Sequence, residues 1–156
     1  MRFRNIFSRD EAYPEGRYIV LEHQTPEFLW QPRYQTHPNG AQGLDAALVC
    51  ADDVPAERDR LATITGVAPD AVGDGVFRFL PRGGGRIELH STGNFVSRYG
   101  WRPPSRPCFA GAEVSFASRH SAAQMMVDNG VPVERIGDEW FVAPRYTNGF
   151  ILRLGP

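Results

Sequence analysis

The sequence has no lysine: all 17 of its basic residues are arginine. Schiff-base chemistry and a phosphate loop built on lysine are therefore excluded. Cysteine is nearly absent. Cys50 and Cys108 are too few for a disulfide framework or, by themselves, a metal cluster, and a reducing cytoplasm is the expectation. An excess of one charge is also missing. The formal net charge is -1 and no basic block stands out, which argues against a nucleic-acid partner. Apolar runs such as Tyr18 to Leu21 fall far short of the ~20 residues a membrane helix needs. The N-terminal Met1-Arg-Phe-Arg-Asn-Ile-Phe7 lacks the continuous apolar stretch of a secretory signal. Neither His-x-x-x-His nor Cys-x-x-Cys occurs.

What is present suits a folded domain. Of 156 residues, 42% are hydrophobic, enough to bury a core. The 16 glycines and 13 prolines punctuate short patterned segments. Residues 17–23 read as a strand, and residues 24–43 as loop with turn signals at Trp30-Gln31-Pro32 and His37-Pro38-Asn39-Gly40. In the turn, His37 reads as a brace and not as a catalytic group. Residues 46–51 suit a buried strand. Asp53 can cap the helix that follows, Pro55 fits its first turn, and Gly66 can end it. Strands at 76–80 and 86–90 flank the Gly83-Gly84-Gly85 turn.

The pattern then repeats. Residues 112–117 read as a strand, Ser118 caps a helix that Gly130 and Pro132 stop, and strands follow at 133–136, 139–143 and 150–154. Phe77-Arg-Phe-Leu-Pro-Arg82 matches Trp140-Phe-Val-Ala-Pro-Arg145, and Gly85-Arg-Ile87 matches Gly149-Phe-Ile151. The parse is two units of ~45 residues, each βαβββ in plan. The first spans 44–100, a Pro-rich linker covers 101–107, and the second spans 108–156. One such unit cannot cover both faces of its sheet, so the two are expected to pack together as an α+β fold. Residues 1–43 fit neither unit. Gly16-Arg17 leading to Glu22-His23 resembles Gly85-Arg86 leading to Glu88-Leu89-His90, so this segment reads as the tail of an upstream module that the chain lacks.

The segment Glu22-His-Gln-Thr-Pro-Glu-Phe-Leu-Trp-Gln-Pro-Arg33, followed by His37-Pro-Asn-Gly-Ala41 and a βα unit, resembles the C-terminal half of glyoxalase-like proteins of the vicinal oxygen chelate superfamily. The looser resemblance covers roughly residues 17–155. It implies paired βαβββ modules whose curved sheets form a cleft. It also implies a divalent metal (Zn, Fe, Mn or Ni) held by a His on a module's first strand and a Glu on its last. The chemistry implied is of lyase, isomerase or dioxygenase type on a small carbonyl or anionic compound. Some members only sequester ligands. This sequence departs from the ligand pattern: neither first strand carries a His, and the second module's last strand offers Leu152 and Arg153 where Glu88 stands in the first.

Strand alternation puts Arg86, Glu88 and His90 on one face and Ile87 and Leu89 on the other. Arg78 and Arg153 join the polar face by the same rule. Arg78, Arg86 and Arg153 are therefore the candidate ligand-binding residues, since guanidinium offers paired donors to anions. The bland alternative is a solvated face with a surface Glu–Arg pair. Glu88 is the candidate catalytic group. The candidate metal ligands are His23, Glu88 and His90, against the plainer reading of an ordinary Glu88–His90 pair. Two functions stay open: a metal-dependent enzyme, or a non-catalytic ligand-binding or scaffolding half-domain with no metal of its own. A Glu88→Ala substitution is expected to leave stability nearly unchanged. The 17–23 strand is apolar on both faces and needs a partner, which leaves a homodimer open, with His23 reaching a second copy's ligands.

Overall fold

The first two strands form a hairpin outside the main sheet. In the computed structural model, which describes residues 1–73 and 75–156 (Asp10 by its backbone alone), β1 (Phe3–Phe7) pairs antiparallel with β2 (Ile19–His23). From the sequence, β2 is expected to pair with the sheet of its own chain or with a second copy, and β1 takes that place. Arg4 and Asn5 interrupt the apolar pattern of β1 and hide it. The segment read as loop holds one helical turn, α1 (Pro32–Gln35), started by Pro32. The turn after it is braced as expected: the His37 ring nitrogen Nδ1 lies 2.6 Å from Asn39 Oδ1, which also accepts the Ala41 N–H at 3.0 Å.

The main body follows as β3 (Ala41–Ala51), α2 (Val54–Thr65), β4 (Asp70–Ala71), β5 (Val76–Phe79), β6 (Arg86–Ser91) and α3 (Thr92–Tyr99). It continues as β7 (Cys108–Phe116), α4 (Arg119–Asp128), β8 (Glu134–Ile136), β9 (Glu139–Val142) and β10 (Ile151–Leu154). Asp53 caps α2 by accepting the Ala56 N–H at 3.1 Å, and Ser118 caps α4 by accepting that of Ser121 at 3.2 Å. Strands β3 and β7 begin before the expected 46 and 112, at Ala41 and Cys108.

Eight strands form one curved sheet in the order β4-β5-β6-β3-β7-β10-β9-β8. The two first strands, β3 and β7, pair antiparallel at its centre, while β6 runs parallel to β3 and β10 parallel to β7. The half built from β3, α2 and β4–β6 thus matches the half built from β7, α4 and β8–β10 about a two-fold axis through the Ala47–Ala112 pair. The central strands approach closely at Gly111. A Cβ there would lie 2.6 Å from the Ile151 carbonyl oxygen and 2.9 Å from Leu48 Cδ1, so only glycine fits.

Alternation along the strands divides the apolar residues between the two faces. On the helix side, Val49, Ala51, Phe79 and Leu89 pack with Leu61 of α2. Phe116, Trp140, Val142 and Leu154 pack with Ala122 and Ala123 of α4. On the concave side, Ala46, Leu48, Cys50, Phe141 and Ile151 pack with Phe95 and Tyr99. Those two side chains come from α3, a helix absent from the sequence parse. Ser91 starts it by accepting the Asn94 N–H at 3.1 Å, and Gly100, with φ +64, ends it in the left-handed conformation. Helix α3 therefore covers one part of the concave face and leaves a polar cleft over the rest. No helix among the described residues is long and apolar enough to cross a membrane.

Candidate functional site

The cleft is a cavity of about 230 Å³ lined by Arg78, Arg86, Glu88, His90, Arg98, Glu113, Glu139 and Arg153, with Val72, Gly73 and Val76 at one side. Strand β6 delivers Arg86, Glu88 and His90 to one face because they are two residues apart, while Ile87 and Leu89 join the cluster under α2. Arg78 stands opposite Glu88 in the β5–β6 register, so its side chain shares that face. Arg153 stands beside Glu113 in the β7–β10 register.

The charges form one network. Arg86 donates from Nε to Glu88 Oε1 at 2.8 Å and from Nη2 to Glu113 Oε1 at 2.6 Å. Arg153, 4% exposed, reaches three carboxylates: Nη1 lies 2.9 Å from Glu88 Oε2 and 3.2 Å from Glu139 Oε1, and Nε donates to Glu113 Oε2. Arg98 of α3 donates to both oxygens of Glu139, at 2.6 and 2.8 Å. Such forked, charge-assisted bonds are the strong class of hydrogen bond. Burial by itself would raise the Glu88 carboxyl. His90, Arg153 and Arg86 outweigh it and hold the group far below the ordinary carboxylate range. Glu139 is lowered in the same way: burial opposes, and Arg98 and Arg153 prevail.

His90 is 1% exposed. Its Nδ1 lies 3.0 Å from Asn94 Oδ1, and its ring meets the edge of Phe95. Its Nε2 is buried, with no hydrogen-bond partner among the described residues, and lies 3.6 Å from Glu88 Oε2. Arg78 Nε is also buried, with no hydrogen-bond partner among the described residues.

Of the residues singled out from the sequence, Arg78, Arg86, Glu88, His90 and Arg153 meet in this cleft. His23 is not among them. It ends β2 in the separate hairpin, with its ring against Phe3 and Trp30. Glu113, Glu139 and Arg98 were missed. The spacing of Glu139 and Phe141 on β9 puts Glu139 on the concave face, but Arg98 becomes visible only with α3.

A divalent ion fits these residues poorly. Among the described residues no three His, Cys, Asp or Glu side chains are grouped to hold one. Glu88 and Glu113 each give both oxygens to guanidinium groups. The position two-fold equivalent to Glu88 holds Arg153, a fixed cation.

No protein-family model matches the sequence, and no curated protein is similar to it. Solved structures are similar in fold. Methylmalonyl-CoA epimerase from Mycobacterium tuberculosis superposes with a TM-score of 0.57 at 16% identity, over 81% of this chain and 97% of that one. A hypothetical protein from Staphylococcus aureus gives 0.54 at 7% identity, covering 95% of this chain and 46% of that chain. One from Bacillus halodurans C-125 gives 0.50 at 17% identity, over 72% and 91%. Strand order, paired βαβββ units and these neighbours together give the chain a glyoxalase-like fold of the vicinal oxygen chelate type.

Proposed function

We propose that the chain is a binding domain that takes a small anionic or carbonyl-bearing compound in its cleft and uses no divalent ion of its own there. Arg78 carries this reading. It lines the cavity, and among the described residues no carboxylate pairs with it, because the oxygens of facing Glu88 are held by Arg86 and Arg153. Among the described residues, four cleft guanidiniums (Arg78, Arg86, Arg98, Arg153) stand against three carboxylates (Glu88, Glu113, Glu139), one positive charge in excess. A carboxylate can take that charge through paired N–H donors. The cavity lies below the usual ~300–1,000 Å³ of drug-sized sites, which favours a small acid.

The test is thermal-shift and calorimetric titration with short mono- and dicarboxylic and 2-oxo acids, on wild type and Arg78→Met. The expected result is a ligand whose affinity falls roughly tenfold or more in the variant. A panel without any Arg78-dependent binder would sink the reading.

An enzyme is the second reading, favoured by the unpartnered Nε2 of His90 beside Glu88 and by the epimerase among the structural neighbours. The lyase, isomerase and dioxygenase chemistries belong to it. In that case His90 would hold or accept the proton and Arg78 would orient the substrate. A homodimer is supported by the exposed apolar residues of the β1–β2 hairpin, and a cytoplasmic location by two free thiols.

A further inference from the structure

The loop that joins β1 to β2 rests on the helix side of the main sheet, away from the cleft. The Glu15 carbonyl accepts the Phe109 N–H of β7 at 3.2 Å, and the Phe109 ring lies against Gly16, closer than a Cβ there would allow. The Tyr18 ring meets those of Tyr13 and Phe109, with centroids 5.1 and 5.6 Å away, and packs against the apolar cluster under α2.

Two acids lie where this loop meets α2. Glu15 is 5% exposed, and Glu57, one turn before Leu61 on the same face of α2, is fully buried. Both oxygens of Glu15, Oε1 of Glu57, the Tyr18 hydroxyl and Arg60 Nε are buried with no hydrogen-bond partner among the described residues. Five such atoms in one place make this packing costly unless something satisfies them. Arg60 faces the pair from α2 and donates from Nη2 to Glu57 Oε2. Tyr13 and Tyr18 face it from the loop, β7 brings the apolar Phe109, and Arg9 and Arg17 of the loop are exposed. Among the described residues no third His, Cys, Asp or Glu is grouped with the two acids to hold an ion. The hollow beside the loop is lined by Tyr13, Pro14, Gly16 and Arg17 and by neither carboxyl.

A single proton fits the pattern. Carried on Glu57 Oε1 it donates to Glu15, while Oε2 keeps its bond from Arg60 and the second Glu15 oxygen is left for the Tyr18 hydroxyl beside it. Burial, and then the Glu15 charge, push the Glu57 carboxyl up against the pull of Arg60.

We infer that Glu15 and Glu57 form a proton-operated latch: with one proton between them they fasten the hairpin loop to α2, and without it they repel and release the loop. Docking raises the Glu57 carboxyl, so the latch is fully closed below the ~4.3 of a free glutamate and weakens as pH rises through the docked value. Glu88 and Glu139 are lowered, so their own contribution changes on the acid side of that pH. Opening bares Tyr18 and Phe109 and leaves the cleft as it is.

The experiment uses the full chain as wild type, Glu57→Gln and Glu15→Gln. Hydrogen exchange of the 13–18 segment, corrected for the intrinsic rate at each pH, is followed from pH 5 to 8, and the Glu57 carboxyl carbon is titrated by NMR. In wild type the segment's protection is expected to fall severalfold over this range, in step with the Glu57 titration. In Glu57→Gln an amide N–H replaces the proton at every pH, so protection should stay high and flat. Glu15→Gln supplies the same donor from the loop and covers the case in which the first variant does not fold. All four histidines remain in both variants, so their titration cancels from the comparison. A Glu57 carboxyl that titrates at or below the free value would overturn the inference. So would protection in wild type that does not change with pH, a slope kept in both variants, or two variants that fail to fold.

Discussion

Glu88 is where the structure most changes what a substitution should do. From sequence, Glu88→Ala is expected to be nearly neutral for stability. In the fold the residue is 5% exposed and is shared by two guanidiniums, so the substitution leaves Arg153 buried with one carboxylate fewer. Breaking a buried pair by removing one partner costs about 3–5 kcal/mol, and a loss in that range is expected in urea unfolding. The same carboxyl dictates a pH response. Its folded value, like that of Glu139, lies below the unfolded ~4.3. Its contribution is therefore fully present above that pH and lost as pH falls through the folded value. The thermal midpoint should drop as pH is lowered from 5 toward 2. Glu88→Gln should start lower and fall less steeply.

At the scale of elements, the centre of the sheet and the outer hairpin give opposite expectations. Cys50 and Cys108 stand opposite each other in the β3–β7 register, both as free thiols. Burial, and then the neighbouring Cys50, push the Cys108 thiol up to about 11. Its alkylation rate should therefore keep rising between pH 9 and 11, where an ordinary thiol has levelled off. A plateau near pH 9 would contradict the packing at this strand end. The β1–β2 hairpin exposes apolar side chains instead. Ile6 and Val20, cross-strand partners, are 65% and 58% exposed. If that face joins two copies, light scattering should show a dimer for the native chain and a monomer for Ile6→Glu with Val20→Glu. A monomeric native chain would remove the case for His23 acting across an interface.

For the whole molecule, local chemistry was readable and long-range convergence was not. Asp53 and Ser118 mark helix starts, and the match of residues 77–82 with 140–145 falls in register between the halves, whereas Gly85-Arg-Ile87 and Gly149-Phe-Ile151 are offset by one, with Ile87 on the helix side and Ile151 on the concave side. The resemblance to glyoxalase-like proteins then supplied the plan of a shared cleft. Helix α3 escaped because its eight residues, beginning Thr92-Gly-Asn, have weak intrinsic helix propensity and are fixed by Phe95 and Tyr99 burying against β3 and β9. Alternation placed Arg86, Glu88 and His90 on one face. That Arg153, 65 residues on from Glu88, would bond to it depends on the register of four strands, which no local pattern carries.

The bond between Glu88 and Arg153 crosses from one half of the duplicated body to the other. Two copies of the first half would set Glu88 against Glu88, and two copies of the second would set Arg153 against Arg153. Joined in one chain, the halves differ at this position and meet through unlike charges. The segment 101–107 that joins them therefore fixes a composition as well as a connection: every chain carries one Glu88 and one Arg153 to face each other across the cleft.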